Sequence, residues 1–216
     1  MLLSFDLAPE AIAEHDDWHT HEHLPERLSI PGFLRGSRWV ATRGEPRYMV
    51  LYEVRELATL TSAAYLERLN NPSAWTSKMM PHYRGMRRGL CAVAGSVGLG
   101  MGNATCVFRF KPREEPAGSL RSWLLQEFLP TLPVRRGIGS AHLLENASAA
   151  PMTNEQRIRG ADAGVDSVLL ITGYEAQALG GLSLDTRREL ERRGATEVSE
   201  GLYRIDYTLA HDELDA

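Results

Sequence analysis

Short runs of alternating apolar and polar residues punctuate this chain, separated by longer stretches in which apolar residues return every three or four positions. The first spacing is that of a half-buried strand, the second that of an amphipathic helix. Residues 2–7 read as a strand, 10–23 as a helix, and 33–41 as a strand following the Pro31-Gly32 turn. Residues 47–54 give a third strand, 61–83 a helical region interrupted at Asn70-Asn71-Pro72, and 89–97 a fourth strand. The order is β-α-β-β-α-β, the split unit of ferredoxin-like folds.

The second half repeats that order, with a strand at 104–110, a helix at 118–129, strands at 138–145 and 167–174, a helix at 183–193 and a strand at 201–209. One repeat therefore occupies 1–100 and the other 101–216. The stretch from Gly95 to Gly102 reads as the linker between them, because it leads into a strand and not into the helix that a phosphate-binding glycine loop needs. Residues 147–166, rich in Ala, Ser, Gly, Asn and Asp, exceed their first-half counterpart and read as a mobile loop or a lid. Each half leaves one apolar sheet face uncovered, and two such faces are expected to pack together. The expected fold class is α+β: two ferredoxin-like repeats packed sheet to sheet.

A five-residue skeleton supports the duplication. Trp18, Glu22, Leu24, Pro25 and Gly32 recur as Trp123, Glu127, Leu129, Pro130 and Gly137, at a constant offset of 105. Tyr52-Glu53 is matched to Tyr174-Glu175, and Gly89-Leu90 to Gly201-Leu202, at offsets of 122 and 112. On the first offset His15, His19 and His23 become Leu120, Leu124 and Phe128. At about 100° per residue the three histidines fall within roughly 80° of one another, so they form one stripe. If both helices dock alike, that stripe points inward, where unpartnered imidazoles are costly outside a polar cavity. Proline disfavours helical backbone in the residue before it, so the regular helix is expected to end near His23.

The segment Trp18-x-x-x-Glu22-His23-x-Pro25-Glu26-Arg27, followed by Ile30-Pro31-Gly32-Phe33 and a strand, resembles the first helix and turn of the dimeric α/β-barrel superfamily, with EthD-like proteins as the nearest group. The resemblance covers most of the first half, and the second half through the skeleton alone. It implies a pseudo-dimer within one polypeptide, with the ligand between helix layer and sheet. Activities in that superfamily range over ring cyclases, lactone isomerases, cofactor-independent monooxygenases and haem-dependent enzymes, so the fold does not fix the reaction.

Two chemical readings of the stripe compete. Histidines at i and i+4 are spaced to share a metal ion, yet His15 and His23 stand roughly 12 Å apart along a helix, too far for all three to hold one. Haem needs a single axial histidine, and nothing else marks a haem site. Acid–base work needs only imidazoles in a partly dry pocket, so the expectation is no metal and no cofactor. His23 is the first candidate base, His19 the second and His15 the third; Glu22, which recurs without the histidines, reads as structural. Tyr52, Trp39, Tyr65 and Trp75 are the candidate ligand walls, suited to a flat aromatic or alicyclic compound. The expected function is cofactor-independent isomerisation, cyclisation or breakdown of a small carbonyl or aromatic compound. The alternatives are a non-catalytic small-molecule binder and a metal- or haem-dependent oxidoreductase or lyase.

Composition narrows the partners. The 216 residues are 43% hydrophobic with a formal charge of -4, and the small cluster Arg84, Arg87 and Arg88 reads as a solvated edge, so no nucleic acid partner is expected. Two cysteines, Cys91 and Cys106, suggest neither a disulfide scaffold nor a zinc site. No apolar run reaches the roughly 18 residues of a membrane helix, so a cytoplasmic protein is expected, as a monomeric pseudo-dimer or a homodimer.

Overall fold

The computed structural model describes residues 1–113, 119–148 and 152–214. Eight strands close into one antiparallel barrel: β1 (Leu2–Leu7), β2 (Phe33–Gly44), β3 (Tyr48–Val54), β4 (Tyr83–Gly98), β5 (Ala104–Pro112), β6 (Ile138–Ser148), β7 (Ser167–Gly173) and β8 (Ala195–Ala210). Around the barrel the order is β1-β3-β2-β8-β5-β7-β6-β4. Each half supplies a four-stranded sheet of the ferredoxin-like order, and two seams, β2 with β8 and β4 with β6, weld the halves. Closure leaves no open sheet edge.

Three apolar clusters follow from this geometry. Leu2, Trp39, Met49, Val107, Leu170 and Tyr203 fill the barrel. Outside it, Phe5, Trp18, Leu24, Tyr48 and Tyr52 pack the first-half helices on their sheet, and Phe108, Trp123, Leu124, Leu169 and Leu179 do the same in the second half. Strands covered on both faces lose strict alternation; every residue of β7 is buried. Among the described residues no helix is long and apolar enough to cross a membrane.

The first-half helices are α1 (Ile12–Trp18), α2 (Leu24–Leu28), α3 (Ala63–Asn70) and α4 (Ala74–Met79); the second-half ones are α5 (Ser119–Trp123), α6 (Asn154–Arg159) and α7 (Ala176–Arg192). The helix does not end at His23 as Pro25 suggested. A widened π turn spans His19–His23, in which the Leu24 N–H donates to the His19 carbonyl, and helical backbone continues through α2. The wider turn accommodates the proline, which has no N–H to place in a regular ladder. The same turn recurs at Leu124–Phe128, so it belongs to the duplicated scaffold and not to the histidines. Gly32 and Gly137 close the turns that follow, with φ of +94° and +85°, which explains why glycine is part of the skeleton.

Other expectations change. β4 starts at Tyr83, six residues early, and runs through Gly98, so the glycine-rich stretch is largely strand and only 99–103 links the halves. Strand register gives Tyr52 a different counterpart. Tyr52 lies opposite Gly36 and Ile171 opposite Ala141, and Gly36 and Ala141 are 105 apart, so Tyr52 corresponds to Ile171 and not to Tyr174. Both sheets carry the same bulge, between Phe33 and Arg35 and between Ile138 and Ser140. That bulge puts Phe33 in the helix-side core and Trp39 inside the barrel, although simple alternation placed them on one face.

Residues 152–166 of the expected mobile loop clasp the first half; 149–151 of it lie outside the described residues. Thr153 and Gln156 cap α6 reciprocally, Asn154 hydrogen-bonds Asn70 at 2.6 and 3.2 Å, and Ala163 pairs with β4 through Met86 and Arg88.

Candidate functional site

The docked helix face carries the stripe inward: His15, His19 and His23 are 0%, 2% and 9% exposed. Their rings succeed one another at 5.4 and 5.5 Å between centroids, with Trp18 4.4 Å from His23. Leu120, Leu124 and Phe128 sit on their own sheet in the same way, packed in the second-half core. Glu22 accepts from the Trp18 indole N–H at 3.1 Å and from Ser73 and Thr76, tying α1 to the start of α4.

His15 stands behind the others. Its Nδ1 lies 3.1 Å from Asp16 Oδ1 and its Nε2 3.2 Å from the Tyr83 hydroxyl. The partners assign the tautomer: Nδ1–H donates to the carboxylate and Nε2 accepts from the phenol. Tyr48 and Arg38 hold Asp16 in turn. His15 is thereby a fixed post against which His19 stacks.

His19 and His23 border a cavity of about 30 Å³, room for about one water molecule. Tyr52 and Tyr65 border it too, with Arg27 and Arg88, and Phe5, Val50, Met80 and Met86 give apolar wall. α6 closes it from the second half with Glu155 and Arg159. Arg27, 2% exposed, is ion-paired with Glu155 and, at 3.1 Å, with Glu26. Arg159 forms a two-point pair with Asp162 at 2.6 and 3.0 Å. Arg88 donates to the Tyr65 hydroxyl at 3.3 Å and has no carboxylate partner among the described residues. Glu155, Glu26 and Asp162 neutralise Arg27 and Arg159, which leaves Arg88 as the lining cation without a carboxylate among the described residues and the group best placed to meet an oxygen that gains negative charge.

The Nδ1 atoms of His19 and His23 and the Tyr52 hydroxyl are buried without a hydrogen-bond partner among the described residues. Each such atom costs about 1–3 kcal/mol. Three of them at one cavity mark a place where stability gives way to another requirement. Burial, reinforced by Arg27 and the neighbouring histidines, holds both imidazole pKa values well below the ordinary 6.5. Burial also pushes the Tyr52 phenol up. For Arg27 burial opposes the charge, but Glu155 and its neighbours outweigh it and the guanidinium stays charged. At neutral pH the site thus presents two uncharged imidazole bases, a protonated phenol and fixed cations.

A consequence for stability follows. Below pH 6.5 the unfolded chain takes up protons on these histidines that the folded chain refuses, so stability falls as pH drops from 6.5 toward the lowered pKa values. Each histidine then removes about 1.4 kcal/mol per pH unit. Chemical denaturation at pH 7, 6 and 5 should show a steep loss that the variant His19→Leu/His23→Phe does not share; equal slopes would place the rings in water.

Of the residues expected at the site, His19, His23, Tyr52 and Tyr65 meet at the cavity. Trp39 does not, because the β2 bulge turns it into the barrel. Trp75 does not line the cavity either: it is half-buried against the first-half core and donates to Glu14 at 3.1 Å. Arg88, read as part of a solvated edge, is 9% exposed and points inward. Glu155 and Arg159 had no periodic signal, since they sit in the loop-like segment; Arg27 stood in the motif without a role. Among the described residues no three His, Cys, Asp or Glu side chains converge as metal ligands. As it stands the cavity has room for about one water and none for a porphyrin.

No family model matches the chain, and no curated protein is similar to it in sequence. Solved structures share its fold. An anthrone oxidase-like protein superposes with a TM-score of 0.66 at 14% identity, covering 97% of this chain and 91% of that one. A provisionally named monooxygenase from Lactobacillus acidophilus NCFM gives 0.57 at 10% identity, over 97% and 94% of the two chains. Another from Fusobacterium nucleatum gives 0.56 at 10%, over 97% and 92%. At these identities the likeness is one of fold: the ferredoxin-like, dimeric α/β-barrel architecture, here within a single chain.

Proposed function

We propose that this chain is a small-molecule enzyme of EthD-like type that performs cofactor-independent acid–base chemistry on a small carbonyl or aromatic compound, in the cavity beside His19 and His23. The observation that carries the reading is the meeting of two uncharged, unpartnered imidazoles with buried cations. An imidazole whose lone pair has no partner can take a proton from carbon conjugated with a carbonyl. The electron pair released moves to the carbonyl oxygen, where Arg27 or Arg88 meets the growing charge and the Tyr52 hydroxyl can donate. The protonated imidazole then returns the proton to another carbon of the conjugated system, which is isomerisation. Where the enolate carbon instead adds to a second carbonyl of the same molecule, the ring closes and the imidazolium protonates the new alkoxide; where the enolate expels a β-substituent, the imidazolium protonates that leaving group. His23 is the first base, next to Arg27 on the same helix, and His19 the second. His15 positions His19.

A substrate needs more than 30 Å³, so binding must displace the Glu155 and Arg159 side chains and re-pack Met80 and Met86, the most adaptable walls of the cavity. Anthrone is a suitable first compound, since its methylene is acidified through the ring carbonyl and its name attaches to a protein of the same fold. Deuterium uptake at that methylene in D₂O, followed by NMR, should exceed the protein-free rate by at least about 100-fold. The kcat/KM profile should be flat from pH 8 to 6.5 and fall on the acid side, as the lowered imidazole pKa values are crossed. Saturable binding of cyclic and phenolic ketones with no exchange in any of them would make the protein a binder instead.

A further inference from the structure

One end of the barrel is open. Between the end of β3, the far half of β4 and the start of β6 lies a cavity of about 640 Å³, bordered in common with the histidine cavity only by Met1 and Tyr52. That size suits a small organic ligand. Leu51, Leu144, Leu170 and Met101 wall it, and its rim carries Leu34, Val93 and Leu99, apolar side chains that are 40%, 62% and 91% exposed. Such a rim around a cavity is unusual for a surface with nothing to bind.

A directed chain of hydrogen bonds runs inward from the exposed Ser96 along this cavity, whose lining also carries Arg35, Glu53, Arg55 and Glu56. Ser96 Oγ is 2.8 Å from His142 Nδ1, His142 Nε2 is 3.2 Å from Ser140 Oγ, and Ser140 Oγ is 3.0 Å from Thr172 Oγ1. Ser140 donates its one hydroxyl proton to the Gly100 carbonyl at 2.8 Å. His142 must therefore donate to Ser140 through Nε2–H, and Nδ1 must accept from the Ser96 hydroxyl. The chain ends at Ser96 Oγ, whose lone pairs receive no donor among the described residues. Donors aligned in one direction polarise each other, which strengthens the terminal oxygen as an acceptor.

The duplication shows that the scaffold does not need this imidazole. Ser37 and Thr208 hold the equivalent place in the other seam, paired in the same register and joined directly, hydroxyl to hydroxyl, at 3.2 Å. A histidine at one of two equivalent positions is the same asymmetry that marks the stripe at 15, 19 and 23.

We propose that the barrel mouth is a second binding site, taking a small aromatic or alicyclic alcohol or phenol whose ring lies against the leucines and Met101 and whose hydroxyl donates to Ser96 Oγ. The probe is 2-naphthol, with 2-methoxynaphthalene as the same ring system lacking the donor. Titrating ¹⁵N-labelled protein, 2-naphthol should bind one to one and shift the signals of Ser96, His142, Ser140 and Thr172. The ether should bind about tenfold more weakly, the value of one hydrogen bond. Ser96→Ala, at an exposed strand position, should remove that difference. Met101→Trp, in the linker, should fill the cavity and abolish both. His19→Leu/His23→Phe should leave both affinities unchanged, so this result is independent of the catalytic reading. Absent shifts, shifts confined to His19 and His23, or equal binding of phenol and ether to the parent protein would overturn the proposal.

Discussion

Replacing His19 by Leu and His23 by Phe, the residues that the second half carries at Leu124 and Phe128, should abolish proton exchange while leaving a well-folded protein. The expected loss is about 10²- to 10⁴-fold, the usual worth of a positioned acid–base group. Stability at pH 7 should hold or rise, because two buried nitrogens without partners disappear and the new side chains already fit the same helix, turn and sheet geometry elsewhere in the chain. An inactive protein that also unfolds would show that the imidazoles are structural. Full activity with the apolar pair would remove them from the chemistry altogether. His15→Leu separates the roles further: it leaves both proposed bases in place and withdraws the post behind His19, so its loss should be smaller and should appear chiefly in kcat.

Glu155→Ala should produce the largest fall in stability of any single change near the site. It leaves the Arg27 guanidinium buried with Glu26 as its remaining close carboxylate, and breaking a buried pair from one side costs about 3–5 kcal/mol. In a chain of this size each kcal/mol shifts Tm by about 2–4 °C, so a fall of roughly 10 °C is expected in calorimetry. Replacing both partners with apolar residues, Arg27→Met with Glu155→Leu, should recover most of that stability, since neither charge is then stranded. Activity should stay reduced, because in the proposed mechanism only Arg88 of the two candidate cations is then left to meet the oxygen that gains charge. An unchanged Tm in Glu155→Ala would mean that α6 does not clasp the first half.

The architecture was open to reading from residue types because the repeated unit is built from strong local rules. Trp18 and Trp123 anchor their helices, and Gly32 and Gly137 adopt φ that other residues resist. The inward stripe was legible for a related reason: one copy supplied a control for the other. Features that depend on long-range register were not legible. A bulge of one residue beside Arg35 separates Phe33 from Trp39, and no local pattern announces it. The pairing of Tyr52 with Tyr174 followed sequence likeness, whereas hydrogen-bond register sets Tyr52 against Ile171 and leaves its phenol without an equivalent in the other half. Glu155 and Arg159 were hidden because α6 is too short for periodicity and is held by contacts with α3 and with the turn at Met80–His82.

The β2–β8 seam joins segments far apart in the chain; Ser37 meets Thr208 across 171 residues. Contacts at such separation form late, after the entropy of a very long loop has been overcome. During synthesis the first half can fold its local sheet, yet β2 waits for β8, and the histidine cavity waits for α6. The half that holds the bases is made first and completed last. Until the final strand arrives, the unpaired edges of β2 and β5 are the surfaces most open to mispairing with another nascent chain.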